Sequence, residues 1–273
     1  MQPVQLAGHA LPPIGQGTWH MGEASHRRQD EIAALRLGLE LGLTVIDTAE
    51  MYADGESERV VAQAIRGVTD PFYLVSKVYP HNASRDGVVK ACERSLQRLG
   101  VEHLDLYLLH WPGQYPLEET LEGFERLRNA GKIAAWGLSN FDVPDLQSVA
   151  LNGCATQQVL YNPEARGIEF DLLPWAEQQG MPVMAYCPLG QGGRFLDHPA
   201  FQRIAARLTV TPAEVCLAWV IRSGHVMAIP KAVDPVHVRL NARAAQLTLV
   251  PEDLAELDAA FPPPGRKQRL RMV

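Results

Sequence analysis

The sequence predicts a (β/α)8 barrel with a short N-terminal β-hairpin and one extra helix near the carboxyl end. Three observations predict it. Eight short apolar runs, at 14–17, 44–47, 72–76, 104–109, 133–138, 156–160, 182–186 and 226–229, are separated by helical patterns. Strand then helix, repeated in this way, argues for a parallel sheet covered on its outer face. No composition shift or linker breaks the rhythm, so residues 1–273 are expected to form a single domain. An open, doubly wound sheet is the runner-up, since the number of units and the length suit closure better.

Taken in order, Val4 to Leu11 alternate around Gly8, which marks a β-hairpin. Ile14-Gly15-Gln16-Gly17-Thr18-Trp19 then supplies a glycine-rich first strand. Helical patterns begin near Gln29, Glu56, Ser84, Pro116, Val143, Glu169, Pro199 with Thr211, and Pro235. Ser57 or Asp54 is the expected cap of the second helix, and Gly42, Gly100, Gly131 and Gly180 stop others where a left-handed residue is wanted. A last helix at 251–260 lies outside the repeat, and 266–273 form a mobile or surface-laid tail.

Composition narrows the function classes. A net charge of −6 disfavours nucleic acid or an anionic membrane as the main partner. No apolar run reaches the roughly 18 residues of a membrane span, and Met1-Gln2-Pro3-Val4 lacks a signal-peptide start. Cys92, Cys154, Cys187 and Cys216 are far apart and unpaired in pattern, which suits reduced thiols in the cytoplasm. No heptad argues for assembly, so a monomer is expected.

The polar residues fall at strand ends, where a barrel of this kind keeps its chemistry. Asp47, Lys77, His110, Ser139-Asn140, Gln158, Tyr186 and Lys231 each close or follow an apolar run. One such residue alone is most often a loop cap. A set from seven strands, joined by Tyr52, is a site. A tyrosine, with a reference pKa of about 10, is a poor proton donor near neutrality. A neighbouring lysine favours its phenolate, and an aspartate holds the lysine in place. Such a set exchanges a proton with an alcohol or carbonyl oxygen, with His110 orienting that oxygen. His110 has no partner at ligand spacing, so no metal is expected. Ser139, Asn140 and Gln158 suit a carboxamide, Tyr186 a flat ring, and Lys231 with His237, Arg239 and Arg243 a phosphate.

The same stretches resemble the aldo-keto reductase family over essentially the whole chain. The carriers are Gly17-Thr18-Trp19, Asp47-Thr48-Ala49-Glu50-Met51-Tyr52, Ser76-Lys77-Val78, Leu108-Leu109-His110-Trp111-Pro112 and Gly137-Leu138-Ser139-Asn140-Phe141. Gln158 to Pro163, Ala185 to Gly190 and Ile229-Pro230-Lys231 continue the series. The small size and the ending Arg266-Lys267 resemble bacterial members that reduce small reactive aldehydes and keto compounds.

The resemblance implies that Tyr52 is the general acid of carbonyl reduction, with Lys77, paired with Asp47, lowering its pKa and His110 placing the substrate oxygen. It implies a nicotinamide held by Ser139, Asn140 and Gln158, with Tyr186 stacked on it, and a cofactor cleft completed by Pro188, Leu189, Gly190, Lys231, Ala232, His237 and Asn241. Trp19, Tyr79 and Trp111 would line the substrate pocket for small or moderately apolar carbonyls. Ala232, His237 and Leu240 stand where the family commonly has serine, arginine and glutamate around the adenosine end. NADPH is the expected cofactor, with NADH or dual use as the alternative. Arg239 or Arg243 would supply missing charge. The family's long carboxyl-terminal loop is lacking, so an open mouth is expected. Glu50 and His20 receive no role. Two other classes compete: a Schiff-base lyase with Lys77 as nucleophile, which leaves the carboxamide set idle, and a non-enzymatic dinucleotide sensor, which has no use for a proton donor.

Overall fold

The computed structural model describes residues 2–148, 153–191 and 194–273, and in it the apolar runs become parallel strands. They are β3 (Gln16–Gly17), β4 (Val45–Asp47), β5 (Tyr73–Val78), β6 (Leu104–Leu109), β7 (Ile133–Ser139), β8 (Cys154–Leu160), β9 (Val183–Tyr186) and β10 (Val226–Ala228), paired in chain order. The last strand meets the first. Gly15 N–H donates to the Ala228 carbonyl at 2.8 Å, and Ala228 N–H donates to that of Pro13 at 2.9 Å. This seam closes the barrel and rules out the open sheet. Gly17 is needed beside it, because a Cβ would stand 2.7 Å from the Ile229 carbonyl oxygen.

Around the strands lie α1 (Arg28–Glu40), α2 (Glu56–Ile65), α3 (Arg85–Leu99), α4 (Leu117–Asn129), α5 (Val143–Gln147), α6 (Leu172–Gln178), α7 (Pro199–Leu208), α8 (Pro212–Val220) and α9 (Pro235–Ala244), followed by α10 (Pro251–Ala260). Several begin on side-chain caps: Ser84 accepts from Gly87 N–H, Thr211 and Glu214 form a reciprocal capping box, and Asp234 accepts from Val236 N–H. Gly42, Gly100, Gly131 and Gly180 all have positive φ, as their positions required.

Below the barrel, β1 (Val4–Leu6) and β2 (His9–Leu11) form the hairpin, turning through Ala7 and Gly8 at φ 48° and 83°. Two consecutive positive φ values give a turn whose twist matches the flanking strands. Val4, Leu6 and Leu11 pack with Val45, Val75, Leu106, Met184 and Met227 to fill the barrel interior. Val45, Val75 and Leu106 therefore fix the strand parity: Asp47, Lys77 and His110, each an even number of residues further on, point the same way at the upper end.

Three expectations need correction. Neither Ser57 nor Asp54 caps α2: its N-cap is Gly55 at φ 87°, after left-handed Ala53 and Asp54. Ser57 is buried and donates its hydroxyl toward Thr18, so its side chain is spent inside. The first strand is only two residues long, with Ile14 contributing an isolated bridge to Ala228. The helix near Glu169 begins at Leu172, because Gly167–Glu169 is a 3-10 turn. There Glu169 is held by Tyr161, Arg166 and Arg222.

The tail is surface-laid. Lys267 Nζ lies 2.7 Å from an Asp171 carboxylate oxygen and also pairs with Asp142, and Arg271 donates to the Glu164 carbonyl at 2.9 Å. Among the described residues no helix is long and apolar enough to cross a membrane.

Candidate active site

The upper rim brings Asp47, Tyr52, Lys77 and His110 together as a tetrad. Lys77 is fully buried, and its ammonium donates to Asp47 Oδ1 at 2.6 Å, the Thr48 carbonyl at 2.8 Å and Tyr52 Oη at 3.2 Å. Its three donors are thereby used. Thr48 contributes only a carbonyl, so no side-chain signal in the sequence marks it. Tyr52 reaches the site because the chain, after leaving β4, folds back through the turn that precedes α2. The Tyr52 ring meets His110 edge-on at 5.6 Å, and His110 leads to Trp111 at 4.7 Å and Trp111 to Tyr79 at 5.2 Å. The four rings form a continuous wall. Trp19 instead stacks on His20 at 4.3 Å, and His20 bonds Glu23 at 2.6 Å.

Burial drives the electrostatics. Removal from water pushes the Tyr52 phenol up, Lys77 pulls it back down, and the net shift is upward. The lysine therefore acts in the direction expected, but in the protein without ligand burial outweighs it. Burial pulls Lys77 down, yet the charge of Asp47 and contact with Tyr52 more than offset this and leave the ammonium favoured. His110 is driven well below its ordinary value, first by burial and then by Lys77. It is a neutral imidazole at physiological pH. Among the described residues its Nδ1 is buried without a partner, so the proton belongs on Nε2, because a stranded lone pair costs less than a stranded N–H.

Beside the tetrad lies the polar set predicted for a carboxamide. Ser139 and Gln158 are buried, and Gln158 Nε2 donates to Asp47 Oδ2 at 2.8 Å, joining this set to the tetrad. Asn140, at φ 63°, donates to the His110 carbonyl at 3.1 Å and accepts from Tyr186 Oη at 2.8 Å. This leaves the Ser139 hydroxyl proton and Gln158 Oε1 uncommitted among the described residues, one donor and one acceptor as a primary amide needs. The donor set fits a carboxamide with Tyr186 as its neighbouring ring. Pro188, Leu189 and Gly190 form the loop after β9, closed by Gly190 N–H to the Cys187 carbonyl at 2.9 Å. The Cys187 thiol is pushed up to about 11 by burial and is no thiolate.

Lys231, Ala232, His237 and Asn241 lie apart from the tetrad, after β10 and along α9. Lys231, His237 and Arg239 are exposed, whereas Asn241 is buried. Arg243 is committed elsewhere: its guanidinium lies 3.2 Å from Glu214, the carboxylate of the α8 capping box. Among the described residues no His, Cys, Asp and Glu cluster suits a metal ion.

Comparison with known proteins gives the family. Residues 13–261 match the aldo/keto reductase family. The chain is 51% identical over 279 residues to methylglyoxal reductase YeaE of Escherichia coli (strain K12), covering 99% of this chain and 98% of that protein. Methylglyoxal reductase DkgB of Escherichia coli O157:H7 is 31% identical over 91% of this chain and 94% of its own length. A Klebsiella pneumoniae aldo/keto reductase solved in complex with NADP and acetate superposes with a TM-score of 0.97 at 53% identity, over 100% of this chain and 99% of that one. The buried tetrad, the barrel that carries it and the family match together show that this chain belongs to the aldo/keto reductase family.

Proposed function

We propose that the protein reduces small aldehydes and ketones, 2-oxoaldehydes such as methylglyoxal first among them, using NADPH and with Tyr52 as the proton donor. The observation that carries this reading is the buried Lys77 ammonium held between Asp47, the Thr48 carbonyl and Tyr52 Oη. A phenol with an elevated pKa keeps its proton at neutral pH, so it is loaded as an acid. On transfer to the carbonyl oxygen it becomes a phenolate, and the ammonium 3.2 Å away stabilises that charge. Lys77 thus acts mainly on the product side of the proton transfer. His110, with its proton on Nε2, holds the carbonyl oxygen near Tyr52 without competing as an acid, since its imidazole is neutral. The nicotinamide, when bound, supplies the hydride to the carbonyl carbon. Ser139 and Gln158 fix its carboxamide, and Asn140, rather than reaching the amide itself, holds Tyr186, which backs the ring, so one face of the ring is presented.

The relatives support the substrate class. The YeaE and DkgB proteins are methylglyoxal reductases, and the Klebsiella protein binds NADP. The same ammonium speaks against the lyase. A Schiff-base lysine needs a free amine, whereas Lys77 is held charged by Asp47. Fluorescence titration with NADPH and NADH in parallel, followed by methylglyoxal turnover, tests the reading. Tight NADPH binding and turnover that vanishes in Tyr52→Phe with cofactor binding kept is the expected result. Binding of neither dinucleotide would remove the reductase reading.

A further inference from the structure

Glu50 is almost fully buried, yet no step above uses it: its side chain is 7% exposed. Its Oε1 accepts from the Tyr79 backbone N–H at 2.8 Å and from Asn82 Nδ2 at 3.0 Å. Its Oε2 faces the Arg94 and Arg98 guanidinium groups at 3.5 Å and 3.9 Å. Its own backbone N–H donates to the Lys77 carbonyl at 3.3 Å. Glu50 therefore sits on the Tyr52 turn but holds the next loop, the one that carries Tyr79 and the turn Pro80–Asn82. A buried carboxylate is costly unless charged donors surround it, and α3 supplies two arginines for that purpose. Arg98 serves a second buried carboxylate as well, Glu58, which accepts from the Ser76 hydroxyl at 2.7 Å. Ser76 precedes Lys77 on β5. Gly55 leaves room for this arginine, since a Cβ there would stand 2.6 Å from its side chain.

We propose that Glu50 is a positioning residue that sets the distance between the proton donor Tyr52 and the aromatic wall of Tyr79 and Trp111, and so selects among carbonyl substrates by size. The proposal rests on the roles given above to Tyr52 and to that wall. Tyr79 has its backbone fixed by Glu50 and its ring fixed by His81, stacked at 4.6 Å, and by Trp111. Without the carboxylate, the hold on the Tyr79 N–H is lost, and the ring contacts remain with the local bond from the Asn82 N–H to the Tyr79 carbonyl, at 2.8 Å. A carbonyl with a large aromatic substituent leans on this wall; methylglyoxal is too small to depend on it. Displacements of about 1 Å in a positioning group change rates by up to roughly 100-fold.

The test compares Glu50→Ala and Glu50→Gln with the unaltered protein. Glutamine keeps an oxygen that accepts from Tyr79 N–H, whereas alanine keeps none. Hydrogen exchange without ligand should rise across residues 79–84 in the alanine variant and fall back in the glutamine variant. With NADPH, kcat/KM for phenylglyoxal should fall about tenfold further than that for methylglyoxal in the alanine variant, with glutamine restoring much of the ratio. NADPH affinity should stay the same in both, because the cofactor residues lie on other loops. Unchanged exchange across 79–84 in Glu50→Ala would overturn the proposal. So would normal turnover with an unchanged substrate ratio, or an equal loss on both substrates that only follows a lowered Tm. An unaltered enzyme that binds neither dinucleotide would instead strike the reductase reading beneath it.

Discussion

Replacing Lys77 by methionine separates its two roles, because the lysine is both the partner of a proton donor and the counter-ion of a buried carboxylate. The side chain is fully buried, and Asp47 is 2% exposed. Methionine fills a similar volume without charge, so among the described residues Asp47 keeps only the Gln158 amide, at 2.8 Å. Breaking one side of such a buried pair costs about 3–5 kcal/mol. At about 2–3 °C per kcal/mol for a chain of this size, thermal unfolding should fall by roughly 6–15 °C. Turnover should drop by roughly 100- to 10,000-fold, the usual worth of positioned acid–base help. The decisive companion is Asp47→Asn with Lys77→Met. It removes the stranded charge and should regain most of the lost Tm while staying as inactive as the single variant. Calorimetry and single-turnover kinetics read the two effects separately. Near-normal turnover in Lys77→Met would refute the role in proton transfer. An unchanged Tm would refute the energetic dependence of Asp47 on Lys77.

Tyr52→Phe removes the donated proton and leaves the cofactor cradle untouched; kcat should fall by about 100- to 10,000-fold with the NADPH dissociation constant kept, and fluorescence titration checks the latter. His110 has a lowered folded pKa, so below about pH 6.5 the unfolded chain takes up a proton that the folded one refuses. Stability should then fall as pH drops, by at most about 1.4 kcal/mol per pH unit from this residue, and His110→Asn should flatten that slope in urea melts recorded between pH 5 and 7. Gly17→Ala places a Cβ 2.7 Å from the Ile229 carbonyl oxygen at the barrel seam, and should cost about 1–3 kcal/mol in chemical denaturation.

The barrel and most of the candidate site were legible in the chain itself, for a local reason. Strand side chains alternate with a period of two, so Val45 and Asp47, or Val75 and Lys77, must share a face whatever the rest of the molecule does. Apolar runs ending in such residues place the polar ones at the rim. The turn positions of Gly42, Gly100, Gly131 and Gly180 were equally legible, since a left-handed backbone is a local demand. Ser57 misled because serine before a helical pattern usually caps it, and only the approach of Thr18 from the segment after β3 drew its hydroxyl inward.

Other features were decided by tertiary structure alone. Closure of the sheet depends on a seam between Gly15 and Ala228, far apart in the chain. The net upward shift of Tyr52 depends on how much water the fold removes, which burial from every side determines and no neighbouring residue reveals. The commitment of Arg243 to Glu214, and of Arg98 to Glu50 and Glu58, depends on which helices pack together. Residue types and spacing set which chemistry the rim carries, because they act through backbone geometry within a few residues. Packing between distant segments sets how that chemistry is poised, because charge and desolvation act through space.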